Sequence, residues 1–190
     1  MLTKHEIGRK IIHLSSTLII PINIFIGHEF TIYSLIFVIL LYFISEILRT
    51  RKIRIPFISD VTDYCSYNFE KKSFVYSPLT FAISILVLIT FIPGNNGYVG
   101  VVALTLGDGV AGLIGKQFGK TKLFYNNKKS LEGSMSMFII TFLSVLLFVQ
   151  NVFVVFILSL IATLVESLSN EAIDNFSVPF SVSLIMLLLT

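Results

Sequence analysis

A single cysteine, Cys65, stands in this chain of 190 residues. A disulfide within the chain is therefore excluded, and so is a metal site built on paired cysteines. Net charge is scarce too, a formal +3 at pH 7. The sequence pI near 9.0 gives no signal of nucleic-acid binding, because in so apolar a chain the placement of basic residues matters more than their sum. Repeats and low-complexity tracts are absent, and no cleavable signal peptide is expected. Residues 1–10 are charged, but the apolar run behind them leads into further apolar segments. What the chain has is oil: 55% hydrophobic residues and a mean hydropathy of +0.89. That lies far above a soluble globular domain and points to an integral membrane protein. The expectation is one compact membrane-embedded catalytic domain, 1–190, with no room for a separate soluble one.

A helix needs about 20 apolar residues to cross the hydrocarbon core. Stretches near that length run over 11–27, 30–48, 76–93, 98–118, 133–149, 152–168 and 177–190. The fold class expected is all-α, a polytopic helical bundle of about seven transmembrane helices, with six as the alternative. With the N-terminus in the cytoplasm, the inside segments are 1–10, 49–75, 116–131 and 169–176. All 14 Lys and Arg residues fall there or at inside span ends, a strong positive-inside pattern. The outside turns are short and hold residues such as Gly27-His28-Glu29 and Pro93-Gly94-Asn95-Asn96-Gly97. Asp108, Glu132, Glu166, Glu171 and Asp174 gather on the cytoplasmic side. The basic opening of loop 49–75 reads as topology charge in contact with anionic lipid heads, or as a cover or guide for a site.

Gly107-Asp108-Gly109-Val110-Ala111-Gly112 spells a dinucleotide fingerprint literally. Its flanks are apolar helices rather than a βαβ unit, so that reading is set aside. Ala111, Gly115 and Gly119 step by four and form a small-residue stripe for close helix packing. Packing does not account for Asp108, because an ionisable residue inside a span is a functional candidate. A helix break near Gly107–Gly109 is expected to expose N–H groups able to bind phosphate. Asp108 would suit a Mg²⁺ on that phosphate, since Mg²⁺ takes one or two carboxylates plus phosphate oxygens.

Lys116, Lys120, Lys122, Lys128 and Lys129 form a basic loop. Ser130 reads as an N-cap and Glu132 as a first-turn acid. Lys129, Gly133 and Ser136 continue a polar stripe, with Glu132 beside it. Thr163, Glu166, Ser167 and Asn170 lie at i, i+3, i+4 and i+7, a polar face closing an apolar helix, and Asp174, Asn175 and Pro179 follow. Arg9, Lys10 and His13 can share a face where the first span enters the membrane, either as charge anchors or as phosphate contacts.

Arg9-Lys10-x-x-His13, Leu106-Gly107-Asp108-Gly109-Val110-Ala111 with Gly115 and Gly119, Lys129-Ser130-Leu131-Glu132-Gly133-Ser134, and Glu166-Ser167-Leu168 with Asp174-Asn175-Phe176-Ser177-Val178-Pro179 stand in this order. Together they resemble the polyprenol kinase family: dolichol kinase, phytol kinase and the CTP-dependent diacylglycerol kinase. The resemblance spans nearly the whole chain, which is short beside eukaryotic dolichol kinases and looks like their compact core. It implies an all-helical membrane enzyme that uses CTP and a divalent cation such as Mg²⁺ to phosphorylate a lipid alcohol, of dolichol or polyprenol, phytol or geranylgeraniol type. The expected catalytic residues are Asp108, Lys129, Glu132 and Glu166. Nucleotide or phosphate contacts are expected from Gly107, Gly109, Lys116, Lys120, Lys128, Ser130, Gly133, Arg9, Lys10 and His13. The metal ligands expected are Asp108, Glu166, Asp174 and Asn175. Partners are then a nucleoside triphosphate, a lipid alcohol and membrane lipids, with no nucleic acid and with self-association left open. The active site is expected at the cytoplasmic face. The rival readings are a CTP-dependent cytidylyltransferase making a CDP-lipid, and a non-enzymatic small transporter or helical scaffold.

Overall fold

Thr3 opens the first helix with a reciprocal cap. Its hydroxyl accepts the Glu6 N–H, and the Glu6 carboxylate accepts the Thr3 N–H. The computed structural model describes residues 2–66, 73–170 and 173–189; Glu171 lies outside them. Helix α1 (Lys4–Ser15) runs through a 3-10 turn (Ser16–Leu18) into α2 (Ile19–Phe25). Gly27, at φ 128°, then turns the chain where a side chain would strain. Next come α3 (His28–Thr50), the short α4 (Ile58–Cys65) and α5 (Ser77–Phe91). Helix α6 (Asn95–Val102) passes through a π-helical segment (Ala103–Asp108) into α7 (Gly109–Phe118). A hairpin of β1 (Lys122–Leu123) and β2 (Asn126–Ser130) leads to α8 (Leu131–Val145), α9 (Val152–Leu168) and α10 (Asp174–Leu189).

Each expected apolar stretch is thus helical over its described residues, which are all-α apart from the hairpin. Among the described residues, two helices are long and apolar enough to cross a membrane by length and composition, His28–Thr50 and Asn95–Phe118. Four shorter apolar helices, α5 and α8 to α10, have 15 to 17 residues. They reach roughly 22–26 Å at 1.5 Å per residue, short of the ~30 Å hydrocarbon core.

The expected break near Gly107–Gly109 is not there. The chain stays helical from Asn95 to Phe118, and the π-helical segment absorbs the irregularity with backbone bonds kept. Its N–H groups are used within the helix, so they form no phosphate cradle. This segment sits at the centre of the core, with Leu104 and Ala103 fully buried, packed among α1, α8, α9 and α10. Small residues let these helices close in. A Cβ on Gly100 would fall 2.2 Å from Ser183 Oγ, and one on Gly133 would fall 3.2 Å from Gly115 Cα. The small-residue stripe therefore packs α7 on α8, as its spacing implied. Large apolar side chains stay exposed along α3, among them Phe30, Tyr33, Phe37 and Leu40.

Candidate active site

The cleft at one end of the bundle is where distant segments meet. Arg9, Lys10 and His13 do share one face of α1, as their spacing requires. Arg9 Nη2 donates to Ser77 Oγ at 2.9 Å, tying α1 to the start of α5. Lys10 Nζ donates to both the backbone oxygen and Oδ2 of Asp108, each at 3.0 Å. The His13 ring lies 4.1 Å from the Phe81 ring, and its Nδ1 is 3.5 Å from Asp108 Oδ2. Asp108 itself is buried, carried by the last residue of the π-helical segment.

The hairpin brings in the opposite charge partner. Glu132 accepts the backbone N–H groups of Lys120 and Thr121, each at 3.1 Å, and so clamps the entry of the hairpin. Asn126 Nδ2 donates to Ser167 O at 3.0 Å, and Tyr125 donates its hydroxyl to Ser167 Oγ at 3.0 Å. These contacts dock the hairpin on the end of α9 and turn Lys129 inward. Lys129 Nζ then donates to Glu166 Oε1 at 2.5 Å and to Asp174 Oδ2 at 2.8 Å. Burial alone would push this ammonium down, but the Glu166, Asp174 and Asp108 carboxylates outweigh it and hold Lys129 above its ordinary range.

Asp108, Glu166 and Asp174, all buried, each offer a carboxylate oxygen within 4.8 Å of the others. Two ligands of one Mg²⁺ stand at most about 4.2 Å apart, and of one Ca²⁺ about 5 Å, so the trio fits a divalent cation with little adjustment. A second observation supports the fit. Lys129 uses only one oxygen of each neighbour, and Glu166 Oε2 and Asp174 Oδ1 are buried with no hydrogen-bond partner. His13 Nδ1 and Ser134 Oγ are also without one, and all four residues line the cleft. Buried polar atoms left open in this way are costly and point to a ligand.

Of the other expected residues, Lys116, Lys128, Ser130 and Gly133 line the cleft. Lys116 pairs with Glu6 at 3.0 Å on the rim. Ser130 caps α8, accepting the Gly133 N–H at 3.2 Å. Asn175 lines the cleft too, but its amide donates to Ser77 O and Thr80 Oγ1, binding α10 to α5. Four expected residues lie outside the lining. Gly107 packs against Met137 and Thr141, Gly109 lies beneath Leu14, Lys120 is exposed, and Glu132 serves the hairpin. The two glycines are close-approach positions rather than phosphate cradles. Sequence reasoning gave no site role to Gly112, where a Cβ would stand 2.4 Å from Lys10 Cε, or to Ser134 and Ser77. Gly112 was in view as the last glycine of the false fingerprint, and Ser134 as the residue after Gly133. Nothing local marks Ser77.

No protein-family model and no solved structure matches the chain. Curated proteins do. The chain is 38% identical over 123 residues to a probable chloroplastic phytol kinase 1 of Glycine max, covering 55% of this chain and 40% of that protein. It is 34% identical over 126 residues to phytol kinase 1, chloroplastic, of Arabidopsis thaliana, with the same coverage. A phytol kinase of Synechocystis matches at 31% over 96 residues, 46% of this chain and 41% of that protein. The chain thus spans less than half the length of these curated relatives. Their similarity bears out the resemblance to the polyprenol kinase family that the four ordered motifs carry.

Proposed function

We propose that the chain is a membrane-embedded lipid kinase that transfers the terminal phosphoryl group of CTP to the hydroxyl of a long isoprenoid alcohol, of phytol, geranylgeraniol or polyprenol type, at the cytoplasmic face. The observation that carries this reading is the buried trio Asp108, Glu166 and Asp174, with an open oxygen on Glu166 and on Asp174, set beside the cations Lys10 and Lys129 in one cleft. Phosphoryl transfer depends mainly on positioning and electrostatics, and this cleft offers both. Arg9, Lys10, Lys116 and Lys128 give its wall positive charge for the nucleotide phosphates. Oxygens of Asp108, Glu166 and Asp174 would hold a divalent cation, while Asn175 fixes the start of α10. When bound, such a cation neutralises charge on the phosphates and on the leaving diphosphate. The alcohol oxygen forms a bond to the terminal phosphorus, the phosphoanhydride bond breaks, CDP departs, and the hydroxyl proton passes to a carboxylate. We assign that proton to Asp108, the deepest in its helix.

The test is transfer from labelled CTP and labelled ATP to phytol, geranylgeraniol and dolichol by purified protein. The expected result is labelled lipid phosphate with release of CDP. A CDP-lipid with pyrophosphate would instead make the chain a cytidylyltransferase, and tight nucleotide binding without lipid product would make it a non-enzyme. Asp108→Asn is expected to lose at least about 100-fold in transfer. Full transfer by that variant removes Asp108 from its role.

A further inference from the structure

A second cavity adjoins the cleft between α1, α4 and α5. Its wall is mainly apolar, with Ile12, Cys65, Val75, Pro78 and Phe81. The hydroxyls that reach it from α4 and from the residue after it are already used. Thr62 Oγ1 donates to Ile58 O at 2.9 Å and Ser66 Oγ to Thr62 O at 2.6 Å, so each is turned back on its own helix. Its polar side is Arg9, His13 and Ser77, and these three residues also line the first cleft. They stand where the two spaces meet. The Arg9–Ser77 hydrogen bond and the His13 ring packed against Phe81 hold that junction, and His13 Nδ1 faces Asp108 there.

An apolar pocket that ends at the polar wall of a phosphoryl-transfer site suits a molecule with an apolar tail and one reactive polar end. We infer that this cavity takes the first isoprenoid units of the acceptor alcohol, with its hydroxyl at the Arg9–His13–Ser77 junction and pointed to Asp108. The inference rests on the kinase reading and adds to it the place where the acceptor enters. Fixing the hydroxyl at the junction makes the transfer effectively intramolecular.

Cys65 lines this cavity and is the chain's single cysteine, which gives two independent tests. Cys65→Leu narrows the pocket, and the KM for phytol is expected to rise about tenfold while the KM for the nucleotide stays unchanged. An unchanged phytol KM in a variant that keeps the wild-type thermal midpoint overturns the inference. The second test needs no variant. Alkylation of wild-type Cys65 by N-ethylmaleimide, followed by intact mass, is expected to slow several-fold with phytol and not with nucleotide. Equal rates with and without phytol overturn the inference as well. If the wild type phosphorylates no long alcohol at all, the kinase reading fails; if it does so but either Cys65 result is missing, only the pocket assignment fails.

Discussion

Two buried acidic sites lie among the described residues, and they are built in opposite ways. Glu46, on α3, is 1% exposed. Both of its oxygens are used: Oε2 accepts from Arg49 Nε at 2.8 Å, and Oε1 accepts from Arg49 Nη2 and from the Val75 N–H, each at 2.6 Å. Arg49 in turn donates to Ser73 O at 2.7 Å, so the pair fastens the chain before α5 onto α3. Asp108, Glu166 and Asp174 are buried as well, yet Glu166 and Asp174 each keep an oxygen without a partner. Burial of a carboxylate is therefore not what marks function here. A closed account of hydrogen bonds marks a fastening, and an open one marks a place kept for something else.

The sharpest way to break this contrast is to remove one acid from each site. Breaking a buried ion pair by removing one partner costs about 3–5 kcal/mol. Glu46→Ala is therefore expected to lower the thermal midpoint by roughly 10 °C, with transfer per folded molecule retained. Asp174→Asn is expected to do the reverse. It relieves crowding among three carboxylates, so the thermal midpoint holds or rises, while transfer falls at least about 100-fold. Paired melts and transfer assays on the two variants check this. A melt loss for Asp174→Asn as large as that for Glu46→Ala would erase the distinction.

Most of the helices were legible from apolar run length, and the α1 face from the i+3 and i+4 spacing of Arg9, Lys10 and His13. The Ser130 cap was legible from its residue type ahead of an apolar run. What could not be read was set by partners far along the chain. The lysine loop folds as a hairpin because Glu132, Asn126 and Tyr125 find Lys120, Thr121 and Ser167, and no local period encodes that. Gly-Asp-Gly looked like a break because glycine permits one, but α1, α8 and α10 pack around the segment and keep it helical. Lys10 and Asp108 are 98 positions apart, so their pairing was not visible, although Lys10 was in view as a charge anchor or a phosphate contact. Asp108, Glu166 and Asp174 did come into view, because acids beside apolar runs are conspicuous.

Gly112 sharpens the contrast at smaller scale. Its missing Cβ is the room through which Lys10 reaches Asp108, since an added Cβ would stand 2.6 Å from Lys10 Nζ. The obstructing atoms are the far end of a flexible side chain, so Gly112→Ala leaves the helix in place and moves only Lys10. Transfer is expected to fall about tenfold, or about 1.4 kcal/mol in barrier, with the melt nearly unchanged. A melt loss without a rate loss would show that Lys10 is a fastening, like Arg49.

Glu6 stands between the two kinds of acid, and the smallest effect is expected there. It is on the cleft rim, paired with Lys116 and capping α1 through the Thr3 N–H. Burial opposes its charge, but the Thr3 N–H and Lys116 outweigh that and lower its pKa from 4.5 to about 2. A carboxyl whose folded value is depressed adds stability that is full above its unfolded value and is lost as pH falls towards the folded one. The wild type should therefore lose thermal stability relative to Glu6→Gln as pH falls from about 4.5 towards about 2, and the two curves should run parallel above that window. Salt should shrink the difference, since the Lys116 pair faces solvent. Parallel curves through the acid window would mean that Glu6 contributes no charge-dependent hold on α1. The rim would then resemble the trio, with charge kept for a ligand, rather than Glu46, with charge spent on the fold.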